Sequence, residues 1–201
     1  WIILLGSSPS GLASNVMSFI AKANLALSVT LTAFATMLAP LVTPSLMKLL
    51  AGKFVPIDFW GMMLSIINIV ILPIVAGLMF NAIAYGKDRR RSVRLQALIY
   101  TAIIAGKNLM LLLTSDQAIG EVLVRFAKDF AWLHNVPGYT LGYWICRLFG
   151  MDERSCRTIG LEVGMQNGGL ASGIALQMGK VASIGLAPAV FGPMMNITGS
   201  S

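Results

Sequence analysis

Long apolar runs, separated only by short polar gaps, constrain this chain more than any other feature. A helix crosses the hydrocarbon core of a bilayer with about 20 mostly apolar residues, and several runs approach that length. They are too long for strands, and the short alternating segments of a membrane β-barrel are absent. Only 11% of the residues are charged, where a soluble domain has about a quarter. The expected fold class is therefore an all-α polytopic membrane protein, with 1–201 forming a single membrane domain and no soluble domain.

The runs predict approximate spans at 12–32, 33–50, 60–85, 95–114, 130–147, 159–180 and 183–199. One helix over 12–50 would be too long for a single crossing, and Pro40 and Pro44 interrupt its second half, so it is divided. The opening Trp1-Ile-Ile-Leu-Leu5 and the ending at Asn196-Ile-Thr-Gly-Ser-Ser201, inside apolar segments, suggest an internal piece of a longer protein. The net charge of +7 does not point to nucleic acid, because the basic residues gather in the gaps between spans. Five lie in 86–94 and three in 147–157, against two each in 48–58 and 115–129. The positive-inside bias then puts the Arg89–Arg91 loop in the cytoplasm and 115–129 outside. One histidine and two cysteines make no zinc constellation, and Cys146 and Cys156 read as ordinary thiols. His134-Asn135 begins or interrupts a span near Pro137, and a helix start is the reading preferred over a proton relay.

Glu162 is the one acid set in an apolar, glycine-rich stretch; the other seven fall in polar gaps. A carboxylate at membrane depth usually marks an ion or substrate path. Gln166, Asn167 and several glycines follow it, and a broken helix there frees carbonyls that can join a carboxylate and amides around a cation. The plainer alternative is a structural ion pair with Lys107 or Lys180. A second break, Ser7-Ser-Pro-Ser-Gly11, precedes Ser14, Asn15, Ser28 and Thr32. Their oxygens suit a small hard cation, although Ser28 and Thr32 could simply pack helices. Gly11-Leu-Ala-Ser14 recurs as Gly169-Leu-Ala-Ser172 an odd number of spans away, so the copies run oppositely, as in transporters built from inverted repeats.

These segments together resemble the bile acid:sodium symporter family. The resemblance rests on Gly11-Leu-Ala-Ser-Asn-Val-Met17, Asn24-Leu-Ala-Leu-Ser28, Pro40-Leu-Val-Thr-Pro44, Leu72-Pro-Ile-Val75, His134-Asn135, Asn196-Ile-Thr-Gly199 and, most specifically, Glu162-Val-Gly-Met-Gln-Asn167. It implies inverted five-helix repeats with two broken, crossing helices. In that ten-helix symporter fold the first three helices are missing here, and the crossover helices and their neighbours fall within 12–50 and 95–199. It also implies two sodium sites. Ser14, Asn15, Ser28, Thr32 and Glu162 would form one, and Glu162, Val163, Met165 and Gln166 the other, completed by a glutamine from an upstream helix. Substrate would meet Asn167 and Asn196. Bile acid-binding members carry His where this chain has Met195, which turns the expectation toward other organic anions.

The expected function is sodium-coupled symport of an organic anion, bile acid-like or a small carboxylate such as pantothenate or pyruvate, across a plasma or bacterial inner membrane. Sodium, the anion and the lipid bilayer are the implied partners; no nucleic acid and no obligate protein partner are expected. No nucleophile–base constellation marks an enzyme. The alternatives are a proton-coupled carrier in which Glu162 titrates, an intramembrane enzyme and a passive channel.

Overall fold

The computed structural model describes residues 2–85, 117–179 and 186–199. Among them every regular element is helical: α1 (Ile2–Gly6), α2 (Leu12–Ile20), α3 (Leu25–Ala51), α4 (Phe59–Ile66), a π-helical turn (Ile67–Ile71), α5 (Leu72–Tyr85), α6 (Gln117–Leu148), α7 (Glu153–Gly164), α8 (Gly168–Gln177) and α9 (Leu186–Gly199). Leu25–Ala51 and Phe59–Phe80 are each long and apolar enough to cross a membrane. The predicted span at 95–114, the Arg89–Arg91 loop, Lys107 and Lys180 lie outside the described residues.

Two boundaries differ from expectation. The division of 12–50 falls at residues 21–24 rather than at 32–33, and α3 runs unbroken through Pro40 and Pro44. A proline inside a helix frees a carbonyl one turn back, but membrane helices tolerate this when neighbouring groups re-satisfy the backbone. The stop instead comes from Lys22, in the left-handed region at φ 51°, and from Asn24, whose side chain accepts from the Leu27 N–H and so caps α3. The second correction concerns α6. It begins at Gln117, inside the stretch expected as a loop, and carries His134-Asn135 and Pro137 in its interior. The pair is therefore not a helix start.

The chain between α4 and α5 also bends the rules locally. The π turn ends just ahead of Pro73, whose missing N–H and bulky ring an ordinary turn accommodates poorly.

Glycines set the closest packing. α6 and α7 form an antiparallel hairpin in which a Cβ on Gly138 would lie 3.0 Å from the Gly164 Cα, and one on Gly142 3.0 Å from the Gly160 Cα. Small residues four apart on both helices let the backbones touch, the usual way helices associate where lipid removes the hydrophobic drive. At the hairpin's tip Asp152 caps α7 by accepting from the Ser155 N–H, and these hydrogen bonds hold its carboxyl below the usual carboxylate range. The apolar core lies where α1, α3, α8 and α9 meet, around Leu5, Met47, Ile174, Phe191 and Met195.

Candidate functional site

The two helix breaks meet. Residues 7–11 separate α1 from α2, and residues 165–167 separate α7 from α8. They pair antiparallel at Ser10 and Gln166, with the Asn167 N–H donating to the Pro9 carbonyl at 2.8 Å and the Gly11 N–H to the Met165 carbonyl at 3.3 Å. Backbone groups that would be orphaned by each break are thus satisfied by the other. Gly11 eases this approach, since a Cβ there would sit a tight 3.3 Å from the Gln166 carbonyl oxygen. Side chains complete the repair: Thr43 Oγ1 on α3 donates to the Ser7 carbonyl, and Gln166 Nε2 to the Val163 carbonyl, both at 2.7 Å. Asn167 Oδ1 accepts from the Leu170 N–H and caps α8.

Beside the crossing, the structure brings Ser14, Asn15, Ser28, Thr32 and Glu162 together. Ser14 and Asn15 come from α2, Ser28 and Thr32 from one face of α3, and Glu162 from α7. Glu162 is buried. Its Oε1 accepts from Ser14 Oγ at 2.7 Å and Ser28 Oγ at 2.6 Å, and its Oε2 from Thr32 Oγ1 at 2.9 Å. Asn15 Oδ1 lies 2.7 Å from Ser28 Oγ and 3.3 Å from Thr32 Oγ1, and Ser14 Oγ also reaches the Gly11 carbonyl at 2.7 Å. Among the described residues Glu162 forms no salt bridge; the two ion pairs there, Arg147–Glu153 and Arg157–Glu153, are at the α6–α7 tip.

Proton counting defines what this cluster can hold. Six oxygen–oxygen contacts of 3.3 Å or less join its members and the Gly11 carbonyl, and the three hydroxyls supply three protons. Each hydroxyl donates once, so in this arrangement half of the contacts set lone pair against lone pair. Protonating Glu162 would relieve one more. A small cation among the oxygens relieves them all, and one carboxylate with neutral oxygens is a hard-cation donor set. No group of three or more His, Cys, Asp and Glu side chains that could hold a metal ion occurs among the described residues.

The other expected residues fare differently. Glu162, Val163, Met165 and Gln166 lie along one break, with the Val163 and Met165 carbonyls already accepting hydrogen bonds. Gln166 Oε1 is buried beside the His134 side chain, with no hydrogen bond of good geometry. Asn196 is exposed on α9, and no hydrogen bond joins it to Asn167, whereas Met195 is buried in the core. An open cavity of about 510 Å³ runs along the first break to Glu162, walled by Leu31, Phe34 and Leu38 of α3.

Several supporting residues were not anticipated. Thr158 Oγ1 donates toward the Asn24 carbonyl at 3.1 Å and accepts from the Asn24 N–H at 2.9 Å, which ties the α2–α3 turn to α7. Asn135, fully buried in α6, donates to Thr198 Oγ1, and Tyr139 Oη donates to the Met195 carbonyl, tying α6 to α9. The His134 ring packs edge-on against Phe191. The only sequence signals for these were the Asn24 capping pattern and the polar pair His134-Asn135 in an apolar segment.

Comparison with known proteins identifies the family. The sequence pattern of the Sodium Bile acid symporter family matches residues 2–119. An uncharacterized sodium-dependent transporter, YocS of Bacillus subtilis (strain 168), is 38% identical over 208 residues, covering 99% of this chain and 61% of its own length. A probable chloroplastic sodium/metabolite cotransporter of Arabidopsis thaliana, BASS1, is 34% identical over 182 residues, 88% of this chain and 43% of that protein. A probable chloroplastic sodium/metabolite cotransporter of Oryza sativa subsp. japonica, BASS2, is 35% identical over 173 residues, 84% and 40% respectively. The chain thus spans from two fifths to three fifths of these relatives' lengths. On the extent of the family match, the chain belongs to the Sodium Bile acid symporter family.

Proposed function

We propose that the protein is a sodium-coupled secondary transporter of an organic anion, working by alternating access. The observation that carries this reading is Glu162: a buried carboxylate with three hydroxyls and an amide oxygen around it and no cationic side chain on it among the described residues. A buried anion needs a compensating charge. Relatives described as sodium-dependent and sodium/metabolite transporters favour Na+ as that charge.

Sodium, as a transported ion, would bridge α2, α3 and α7 through Ser14, Asn15, Ser28, Thr32 and Glu162. A second sodium would lie at Glu162, Val163, Met165 and Gln166, where the buried Gln166 Oε1 is an available ligand. Turning the Asn15 amide over would point Nδ2 at Ser28 and Thr32 and supply two donors. The cation-free protein therefore has a way to satisfy the same oxygens. Ion binding fixes the crossing, and the adjacent Asn167 is then placed to sense it. Asn167 and Asn196 would donate to the anion, a bile acid-like molecule or a small carboxylate such as pantothenate or pyruvate. Proton coupling through Glu162 is the second reading. It has less support from the relatives, which are described as sodium-dependent and sodium/metabolite transporters.

The larger frame belongs to the same proposal: inverted five-helix repeats whose two broken helices cross, one repeat unit rocking against the rest. Internal likeness supports it. Gly11-Leu-Ala-Ser14 and Gly169-Leu-Ala-Ser172 both stand at the start of the helix after a break, and both helices end at a left-handed residue, Lys22 and Gly179. The membrane is a plasma or bacterial inner membrane, with the Arg89–Arg91 loop cytoplasmic. A binding screen of organic anions on the full-length protein, with and without sodium, tests the function. At least one anion should bind tightly only with sodium, and Asn167→Ala and Asn196→Ala should each weaken it. Anion binding indifferent to sodium throughout would overturn the reading.

A further inference from the structure

The α6–α7 hairpin carries a group of sulfur atoms that ion coupling does not use. The register that sets Gly138 against Gly164 and Gly142 against Gly160 continues one turn toward the tip, where it sets Cys146 against Cys156. Both cysteines are free, and they are only 3% and 0% exposed. The connecting turn folds back over them, with Gly150 in the left-handed region at φ 73°. It places Met151 Sδ 3.2 Å from Cys146 Sγ, while Cys156 Sγ reaches the Met151 carbonyl at 3.5 Å. Two thiols and a thioether therefore converge at one end of the closest helix–helix seam.

We propose that Cys146, Cys156 and Met151 form a binding site for a soft monovalent metal cation of the Cu(I) type. Thiolate and thioether ligands favour soft ions over hard ones, and two thiolates with one thioether fall short of the four-ligand set of a structural zinc site. The nearby oxygen ligands are already committed: Asp152 caps α7, and Glu153 accepts from Tyr143 and Arg157. On binding, each thiol gives its proton to solvent and two metal–thiolate bonds form, with no change of oxidation state. The bound unit carries one net negative charge at a tip rich in arginine, where Arg154 adds to Arg147 and Arg157, the two that pair with Glu153. Met151 is 38% exposed, so its sulfur offers the entry point while the thiols lie beneath. On the topology proposed above this tip faces the cytoplasm, where thiols stay reduced and a Cys pair is more readily a metal site than a disulfide.

Silver(I), which resists redox change, is the probe. Reduced full-length protein is titrated with Ag+ against glutathione as competitor, and maleimide labelling reads the protection of both thiols. One equivalent should bind and protect both cysteines, and X-ray absorption should show a sulfur-only shell. Cys146→Ser and Cys156→Ser should each weaken binding by more than the roughly 10–100-fold typical of outer-shell partners. Met151→Leu should weaken it by a smaller, measurable factor while leaving both thiols in place. This last variant carries the test if either serine variant fails to fold. Equal Ag+ affinity in the Cys146→Ser/Cys156→Ser protein, or no effect of Met151→Leu, would overturn the three-sulfur site. So would a Cys146–Cys156 disulfide recovered from freshly isolated membranes.

Discussion

Thr32 tests the contribution of a single neutral ligand to the proposed sodium site. Its Oγ1 is 2.9 Å from Glu162 Oε2 and 3.3 Å from Asn15 Oδ1, and it sits on the buried face of α3. Thr32→Val keeps the shape and removes the oxygen. Losing one buried polar partner costs about 1–3 kcal/mol, so sodium affinity should fall roughly 5- to 150-fold, measured by sodium titration of the purified protein. Glu162 and its four oxygen neighbours were legible in the sequence because each is a polar residue in an apolar segment, where polarity is costly and so informative. Lys22 was not legible. Lysine carries no signal for the left-handed conformation it adopts at φ 51°, and the turn around it, Ala21-Lys-Ala-Asn24, contains neither glycine nor proline. A left-handed non-glycine residue is strained by about 1–3 kcal/mol, and glycine's own entropy cost returns part of that. Lys22→Gly should therefore stabilise the protein by about 0.5–1 kcal/mol, read as a higher Tm in detergent.

At the scale of elements, the breaks were legible and the helix ends were not. Proline and glycine at 9 and 11, and the polar Gln166-Asn167 pair, marked where the chain leaves the helix. Pro40 and Pro44 carried the same local signal yet sit inside α3, and Pro137 sits inside α6. The difference is tertiary. A freed carbonyl ends a helix only where nothing else satisfies it, and sequence does not say what lies alongside. The glycine seam was missed for the same reason: Gly138, Gly142, Gly160 and Gly164 acquire meaning only once α6 and α7 are set in register. A side chain at Gly142 would meet the Ile159 carbonyl oxygen and the Gly160 Cα at 3.0 Å, both backbone. Gly142→Leu should force the helices apart at a cost of about 1–3 kcal/mol. Lower Tm with reduced sodium response would follow, because α7 carries Glu162; an unchanged Tm would mean that the seam is looser than described.

For the whole molecule, the claim is that one buried carboxylate couples an ion to a crossing of two broken helices. The topology proposed from loop charge can be checked separately. With the native cysteines replaced, Arg90→Cys should label only from the cytoplasmic side in intact cells and Gln117→Cys only from outside; the reverse pattern would invert the orientation. The most direct test of the coupling itself is a thermal-shift titration of the full-length protein with NaCl or KCl at fixed pH and ionic strength, comparing wild type with Glu162→Gln. A ligand that binds only the folded state stabilises it by mass action. The wild type should therefore gain Tm with sodium and not with potassium, and Glu162→Gln should fold but lose the sodium response. A sodium-dependent rise in Tm as large in Glu162→Gln as in the wild type would contradict the account.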